Sequence, residues 1–180
     1  DLHSTSRRQR QMCIRDRLYS LNYSNVKTYL AASLFIVGNI LFPRLFHLIP
    51  LGGLTWLPIY FFTLIGAYKY GWKVGLLTAI LSPVINSLLF GMPVPAVLPA
   101  ILLKSVLLAI AAGWAAQRFG RISIPVLAGV VLFYQIIGTL GEWMYIGNFY
   151  NAVQDFRIGI PGMCLQVLGG YLFIKYLIRK

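Results

Sequence analysis

The chain has 180 residues, of which 58% are hydrophobic and only 11% are charged, and its mean hydropathy is +0.73. A water-soluble domain of this size cannot bury so much apolar surface, so the composition indicates an integral membrane protein and excludes an ordinary soluble enzyme. The formal net charge of +12 would suggest nucleic-acid binding in a soluble protein, but basic residues at the cytosolic ends of membrane helices explain it better, so we expect no nucleic-acid partner.

The first 17 residues differ in composition from the rest of the chain. They are polar, carry five arginines and two aspartates, and lack the apolar region of a signal peptide. The stretch RQRQMCIRDR looks like translated sequencing adapter. We therefore interpret residues 1–17 as a non-native or disordered tail, with a genuine basic cytosolic arm as the alternative, and residues 18–180 as one membrane domain.

Apolar segments separated by charged residues or by Gly and Pro predict six membrane helices. They cover residues 28–48, 54–70, 72–90, 96–118, 124–146 and 158–178. Most of the basic residues fall at one set of helix ends, namely Lys27, Lys69, Lys73, Arg118, Arg121, Lys175, Arg179 and Lys180. Only Arg44 and Arg157 fall at the other set. The positive-inside rule then predicts an all-α six-helix bundle with both termini in the cytosol.

Small residues recur every four positions on the third predicted helix, at Gly71, Gly75 and Ala79. Such a stripe lets another helix backbone approach closely. The approaching helix belongs either to the same bundle or to a separate membrane subunit that docks here. On the docking interpretation, Gly75→Leu should leave the protein folded and abolish its association with that subunit.

Lys104 interrupts the fourth predicted helix, which is otherwise almost entirely apolar. A bare ammonium group in lipid is costly, so this side chain should face the bundle interior or water. Outside the first 17 residues the acidic residues are Glu142 and Asp155, and Glu142 is expected at a similar depth. Lys104 therefore either pairs with Glu142 or binds an anionic ligand group such as a carboxylate, and the two interpretations can be combined.

Other polar and aromatic residues in the outer half of the bundle are candidates for ligand contact. Amides within a membrane either bridge helices or meet a ligand, and aromatic rings either stack on a flat ligand or lie at the membrane interface. A guanidinium group at the outer end would add attraction for anions. The full candidate set is Lys104, Glu142, Asn86, Gln166, Trp56, Trp143, Asn148 and Arg44.

Motifs of intramembrane proteases, metalloproteases and nucleotide-binding loops are missing from the sequence. We therefore expect no enzymatic activity, no cofactor and no metal. Uphill transport by such a chain would need ATPase partners or an ion gradient. A proton-coupled carrier that works alone, with Lys104 and Glu142 relaying protons, is one possible function, and a purely structural membrane protein is another.

The segment YGWKVGLLTAILSPVINSLLFGMPVP resembles the substrate-binding S components of energy-coupling-factor (ECF) vitamin transporters. The resemblance extends over residues 27–180 and is strongest over residues 51–113. It implies a subunit of the bacterial or archaeal inner membrane that captures a vitamin or related micronutrient from outside, in a pocket in the outer half of the bundle. It also implies association with a membrane coupling subunit and two cytosolic ATPases, with Ala32 on the first helix joining the small-residue stripe as the docking surface.

Overall fold

The computed structural model describes residues 21–46, 48, 50 and 52–177. The tail assigned to residues 1–17, and the basic residues Arg179 and Lys180 of the charge count, lie outside these ranges. Within these ranges all the regular secondary structure is helical, joined by short turns, and no strand is present. The all-α prediction is confirmed for this part of the protein.

Helices of very different lengths follow one another along the chain. The elements are α1 (Val26–Phe46), α2 (Gly52–Trp56), a 3-10 turn (Pro58–Tyr60), α3 (Phe61–Tyr70), α4 (Trp72–Phe90), α5 (Leu98–Phe119), α6 (Ile124–Ile146), α7 (Phe149–Ala152), α8 (Gln154–Ile158), α9 (Ile160–Cys164), a π-helical stretch (Leu165–Gly169), α10 (Gly170–Leu172) and a second π-helical stretch (Phe173–Leu177). We refer to residues 160–177 together as the C-terminal helical segment. The predicted bounds of the third and fifth membrane helices agree with α4 and α6.

Among the described residues, four helices are long and apolar enough to cross a membrane, namely α1, α4, α5 and α6. Their outward-facing side chains are also apolar, as on α1, where Leu30, Leu34, Val37 and Leu41 are exposed. A soluble protein does not leave such a continuous apolar surface in water, whereas lipid requires one. These features are those of a multi-pass membrane protein.

The second predicted membrane helix is broken near its start. Leu57 adopts a left-handed backbone conformation with φ of 45°, and Pro58 begins the 3-10 turn that follows. A residue before proline avoids the right-handed helical conformation, so a continuous helix from residue 54 is disfavoured. The 10 residues of α3 cover only about 15 Å, half of a typical hydrocarbon core.

Helix α3 is the centre of the bundle rather than a part of its lipid-facing surface. Its buried residues include Leu64, Ile65, Ala67 and Tyr68, each of which has no exposed surface. Lys69 at its end is buried as well, although the charge pattern predicts it at the cytosolic end of a membrane helix. Gly71, with φ of 100°, then joins α3 to α4 in a conformation that favours glycine.

Contacts between chain segments distant in sequence define one end of the bundle, which we call the basic end. The Leu21 amide donates to the Tyr70 carbonyl at 3.1 Å, and the Tyr68 hydroxyl donates to the Arg121 carbonyl at 2.8 Å. The Lys73 ammonium also contacts the Asn22 side chain. The start of α1, the α3–α4 junction and the α5–α6 connection therefore meet here.

Residues from the opposite helix ends meet at what we call the acidic end. The rings of Phe46 and Trp56 have centroids 5.5 Å apart, and the Arg44 guanidinium lies 3.6 Å from the centre of the Phe90 ring. The start of the C-terminal helical segment packs here too, because a side chain at Gly162 would lie 2.5 Å from the Trp56 backbone.

The small-residue stripe packs inside the chain itself. A Cβ atom on Gly75 would lie 2.4 Å from the Ala67 Cβ atom of α3 and 3.2 Å from the Ala109 Cβ atom of α5. Ala79 and Ala32 are buried as well, with 0% and 3% of their surface exposed. The four proposed docking positions, including Gly71, are therefore inaccessible to a second protein. The structure therefore favours the interpretation that the stripe packs within this bundle, and we expect Gly75→Leu to disturb that packing rather than leave the fold intact.

Candidate ligand-binding site

Lys104 lies in a cluster with two carboxylates at the acidic end. Its ammonium nitrogen is 2.5 Å from the Glu142 Oε2 atom on α6 and 2.5 Å from the Asp155 Oδ2 atom on α8. The predicted pairing of Lys104 with Glu142 is confirmed, and Asp155 is an additional partner. We call these three residues the charged triad.

Helix α6 carries two glycines where the Lys104 side chain crosses it, and we call the space they leave the gap in α6. Gly138 lies against the aliphatic part of this lysine, and a Cβ atom there would come within 2.5 Å of the Lys104 Cγ atom. Gly141, one turn further along α6, lies in the same way against the end of the Leu103 side chain. The absence of side chains at these two positions lets α5 and α6 approach closely enough for the ammonium group to reach Glu142.

Asp155 reaches the triad through a compact turn after α6. Asn148 accepts a hydrogen bond from the Asn151 amide and so caps the short helix α7. Gly159, just after α8, sits so close to Leu57 and to the Asp155 carbonyl that no side chain would fit. These contacts fold residues 148–159 back over the bundle, and α8 then presents Asp155 to Lys104.

The three side chains of the triad differ in their access to solvent. The exposed fraction of the side chain is 2% for Lys104, 14% for Glu142 and 17% for Asp155. The cation is therefore enclosed, and the carboxylates form the accessible side of the cluster. A buried ammonium group is tolerated only when it is paired with an anion. Here both carboxylates contact it.

Two tyrosines and one glutamine lie beside the triad. The Tyr60 and Tyr134 rings have centroids 5.4 Å apart, and the Tyr134 hydroxyl donates to the Gln166 Oε1 atom at 2.9 Å. Tyr134 lies about one turn before Gly138 on α6, the residue against which the Lys104 side chain packs. Tyr60, Tyr134 and Asp155 were absent from the candidate set, while Gln166 was in it.

Several buried polar atoms on α5, on α6 and in the C-terminal helical segment have no hydrogen-bond partner among the described residues. The Gln166 Nε2 atom is one, although its residue has no exposed surface. Ser105, which follows Lys104, and Thr139, which follows Gly138, also have unpartnered hydroxyls. Leaving such atoms unpaired costs roughly 1–3 kcal/mol each. Water or a bound molecule that reached them would remove that cost.

Gln166 belongs to the first π-helical stretch, Leu165–Gly169. A π-helical turn inserts an extra residue into a helix and so changes the direction in which the following side chains point. Such turns are rare and occur frequently at functional sites. Gln166 lies near the start of this irregular stretch, where its amide oxygen meets the Tyr134 hydroxyl.

Asn86 belongs to a separate polar cluster between α1, α3 and α4. Its side-chain nitrogen donates to the Asn39 carbonyl at 3.0 Å. The Asn39 amide in turn donates to the Thr63 hydroxyl at 2.9 Å and to the Ser82 hydroxyl at 3.1 Å. Its side-chain oxygen accepts from the Phe62 amide. Asn86 therefore bridges helices, which is one of the two roles considered for it.

The remaining candidates lie at the acidic end but not in the triad. Arg44 is exposed and stacks on Phe90, and Trp56 packs on Phe46 at the bundle edge. Trp143 is 43% exposed, and Asn148 is an exposed capping residue. These positions suit interfacial residues of a membrane protein. Of the eight candidates, the structure brings Lys104 and Glu142 into contact, and Gln166 bonds to Tyr134, which lies on the same helix as Glu142.

Comparison with protein-family models, with curated proteins and with solved structures gives no match to this chain. The chemistry of the site itself must therefore indicate what it does. In the part of the chain that the structure describes, no group of three His, Cys, Asp or Glu residues is arranged to hold a metal ion. The cluster combines fixed charges, tyrosine rings and unpartnered amide and hydroxyl groups, which together suit recognition of a small polar molecule.

Proposed function

We propose that this chain is a membrane-embedded binding subunit that captures a small molecule through the charged triad. The enclosed Lys104 between Glu142 and Asp155 is the observation that carries the proposal. A buried ion pair contributes little net stability, because desolvation offsets the attraction, so stability alone does not explain its presence. Ionisable residues within membrane helices are functional by default.

The resemblance of residues 51–113 to ECF S components supports a specific form of this function. In that form the chain crosses the inner membrane of a bacterium or archaeon six times, counting residues 52–70, of which α3 is a part, and the C-terminal helical segment, with both termini in the cytosol. The basic end then faces the cytosol, as the positive-inside rule requires, and the triad faces outside. A membrane coupling subunit and two cytosolic ATPases complete the importer and supply the energy, and the ligand is a vitamin or related micronutrient.

Native mass spectrometry of the protein purified in mild detergent tests this function. We expect a bound molecule of vitamin size on the wild-type protein. We also expect its loss from the neutral triple variant Lys104→Met, Glu142→Gln and Asp155→Asn. Removing all three charges together leaves no unpaired charge, so this variant should fold. Arg44→Gln changes a charge at the same end but outside the triad, and it should keep the bound molecule. A wild-type protein without any bound molecule would contradict the proposal.

Co-expression with candidate coupling and ATPase subunits tests the assembly. Under the proposal, a complex forms and ligand uptake into vesicles requires ATP. The docking surface must lie on exposed residues, since the small-residue stripe is buried. Exposed apolar side chains of α1 remain available for such a partner.

A proton-coupled carrier that works alone is the second candidate function. The observation in its favour is that Glu142 and Asp155 are both partly accessible and share one ammonium partner. A carboxylate in this arrangement can take up a proton and give up its contact with Lys104. Liposomes that contain only this chain distinguish the two functions. Substrate uptake driven by a pH gradient without ATP supports the carrier, and its absence supports the binding subunit.

A further inference from the structure

The charge of the triad differs from what Lys104 alone suggests. One ammonium group and two carboxylates together carry +1 − 2 = −1. With Lys104 already in contact with both acids, it has little capacity left for an anionic ligand group. A ligand carboxylate would also have to approach the accessible side of the cluster, where the two carboxylates of Glu142 and Asp155 would repel it.

The other cations at the acidic end do not compensate for this charge. The Arg157 guanidinium lies 4.2 Å from the centre of the Tyr150 ring, and the Arg44 guanidinium lies on the Phe90 ring. Both arginines are exposed, so solvent screens their charges. Within the residues described at this end, neither makes an ion pair with the triad.

We infer that the site selects a cationic ligand, such as a primary amine or a protonated ring nitrogen, through the carboxylates of Glu142 and Asp155. This inference rests on the proposed binding function and adds the ligand class. Lys104 holds the two carboxylates in place and reduces their mutual repulsion. The exposed sides of these carboxylates, 14% and 17% accessible, accept hydrogen bonds from the ligand cation.

The neighbouring groups suit the rest of such a ligand. Tyr60 and Tyr134 are buried, with 2% and 0% of their surface exposed, and aromatic rings of this kind attract cations and pack on flat apolar rings where a ligand reaches them. The unpartnered Gln166 Nε2 atom, fully buried and held by Tyr134, offers a donor to a ligand oxygen or ring nitrogen. This donor is independent of the acidic pair, and no described residue accepts a hydrogen bond from it.

The sign of the ligand charge can be tested without knowing the ligand. Asp155→Asn raises the triad charge from −1 to 0, and Lys104→Met lowers it to −2. For a cationic ligand we expect Asp155→Asn to weaken binding at least about tenfold, or about 1.4 kcal/mol, and Lys104→Met, where it folds, to retain binding. An anionic ligand requires the opposite order. Glu142→Gln, which keeps the Lys104–Asp155 contact, provides a second variant with the same charge change as Asp155→Asn.

Two measurements carry this test. The molecule that co-purifies with the wild-type protein is released, and its net charge at neutral pH is measured by capillary electrophoresis. In parallel, thermal melting of the apo protein is recorded with benzylamine, benzyl alcohol and benzoate, which share a ring and differ in charge. We expect a cationic native molecule and stabilisation by benzylamine above the other two probes, lost in Asp155→Asn and unchanged in Arg157→Gln.

The outcomes separate the ligand class from the proposed function. A bound molecule that is neutral or anionic overturns the cationic inference and leaves the binding function standing. A protein that carries no molecule contradicts the binding function. In that case the charge preference of the site is measured only by the three probes. Stabilisation by benzoate equal to or greater than that by benzylamine overturns the inference in either case.

Discussion

The substitution Gly75→Ala tests how closely α3 and α4 pack. An alanine Cβ atom at this position would lie 2.4 Å from the Ala67 Cβ atom and 2.8 Å from the Ala67 Cα atom. Carbon atoms in van der Waals contact are about 3.5–4.0 Å apart, so the two helices would have to separate by more than about 1 Å. The neighbouring atoms belong to a backbone and a first side-chain carbon, so rotation of a side chain cannot relieve the overlap.

The net effect on stability combines two opposing contributions. Overpacking a well-packed core costs about 1–3 kcal/mol, and the cost should be near the upper value because α3 is enclosed on all sides. Replacing glycine by alanine within a helix contributes about 1 kcal/mol in the other direction. We therefore expect Gly75→Ala to lower the free energy of unfolding by about 1–2 kcal/mol, as the difference between these values.

Gly129→Ala is the matched control, because it shares the helix contribution without the overlap. Gly129 is an exposed residue of α6, and no atom lies within 4 Å of the position of its Cβ. The Gly129→Ala substitution should stabilise the protein slightly, by up to about 1 kcal/mol. Unfolding by SDS in mixed micelles, followed by circular dichroism, measures both variants. If Gly75→Ala proved as stable as Gly129→Ala, the close packing of α3 on α4 would be refuted, and the stripe would again be available for docking.

Three further substitutions test the polar clusters. Lys104→Met alone leaves two carboxylates without their cation and should lower the free energy of unfolding by up to about 3 kcal/mol. The free energy of unfolding of the neutral triple variant should lie within about 1 kcal/mol of the wild-type value. Equal losses in both variants would argue against ion pairing. Asn39→Ala removes a buried bridge between helices and should cost about 2–3 kcal/mol in the same SDS titration, against about 1 kcal/mol or less for Asn148→Ala at an exposed cap. Gly138→Ala should displace the Lys104 side chain and reduce ligand occupancy in native mass spectra without loss of helicity, and full occupancy would contradict the role assigned to the gap in α6.

The sequence predicted the pairing of Lys104 with Glu142 because charged side chains are rare in the apolar segments around both residues. An isolated cation in an apolar helix has to find a counter-ion, and few acids were present. The same argument applies to Asp155, although the sequence places this residue between two predicted membrane helices. The signal was available, since residues 18–180 contain only these two acids, but a loop residue was not expected to reach a membrane helix.

Other parts of the site had no sequence signal. Tyr60 and Tyr134 are two of 11 tyrosines in the chain, and nothing in their local sequence distinguishes them. Their approach to 5.4 Å depends on the break at Leu57 and Pro58, which sets the direction of α3. The stripe of Gly75 and Ala79 did predict close helix packing, yet it could not indicate whether the neighbouring helix belonged to this chain.

The sequence by itself determined the all-helical class, the apolar membrane-crossing helices and the separation of basic residues to one end, because hydropathy and charge act on each segment independently of its neighbours. Only the tertiary structure decided which segment lies at the centre, which small residues face inward and which acids meet Lys104. These features depend on how helices distant in sequence pack together, and a periodic apolar pattern in a membrane is compatible with many such packings. The charge of the site, −1 rather than +1, follows from that packing.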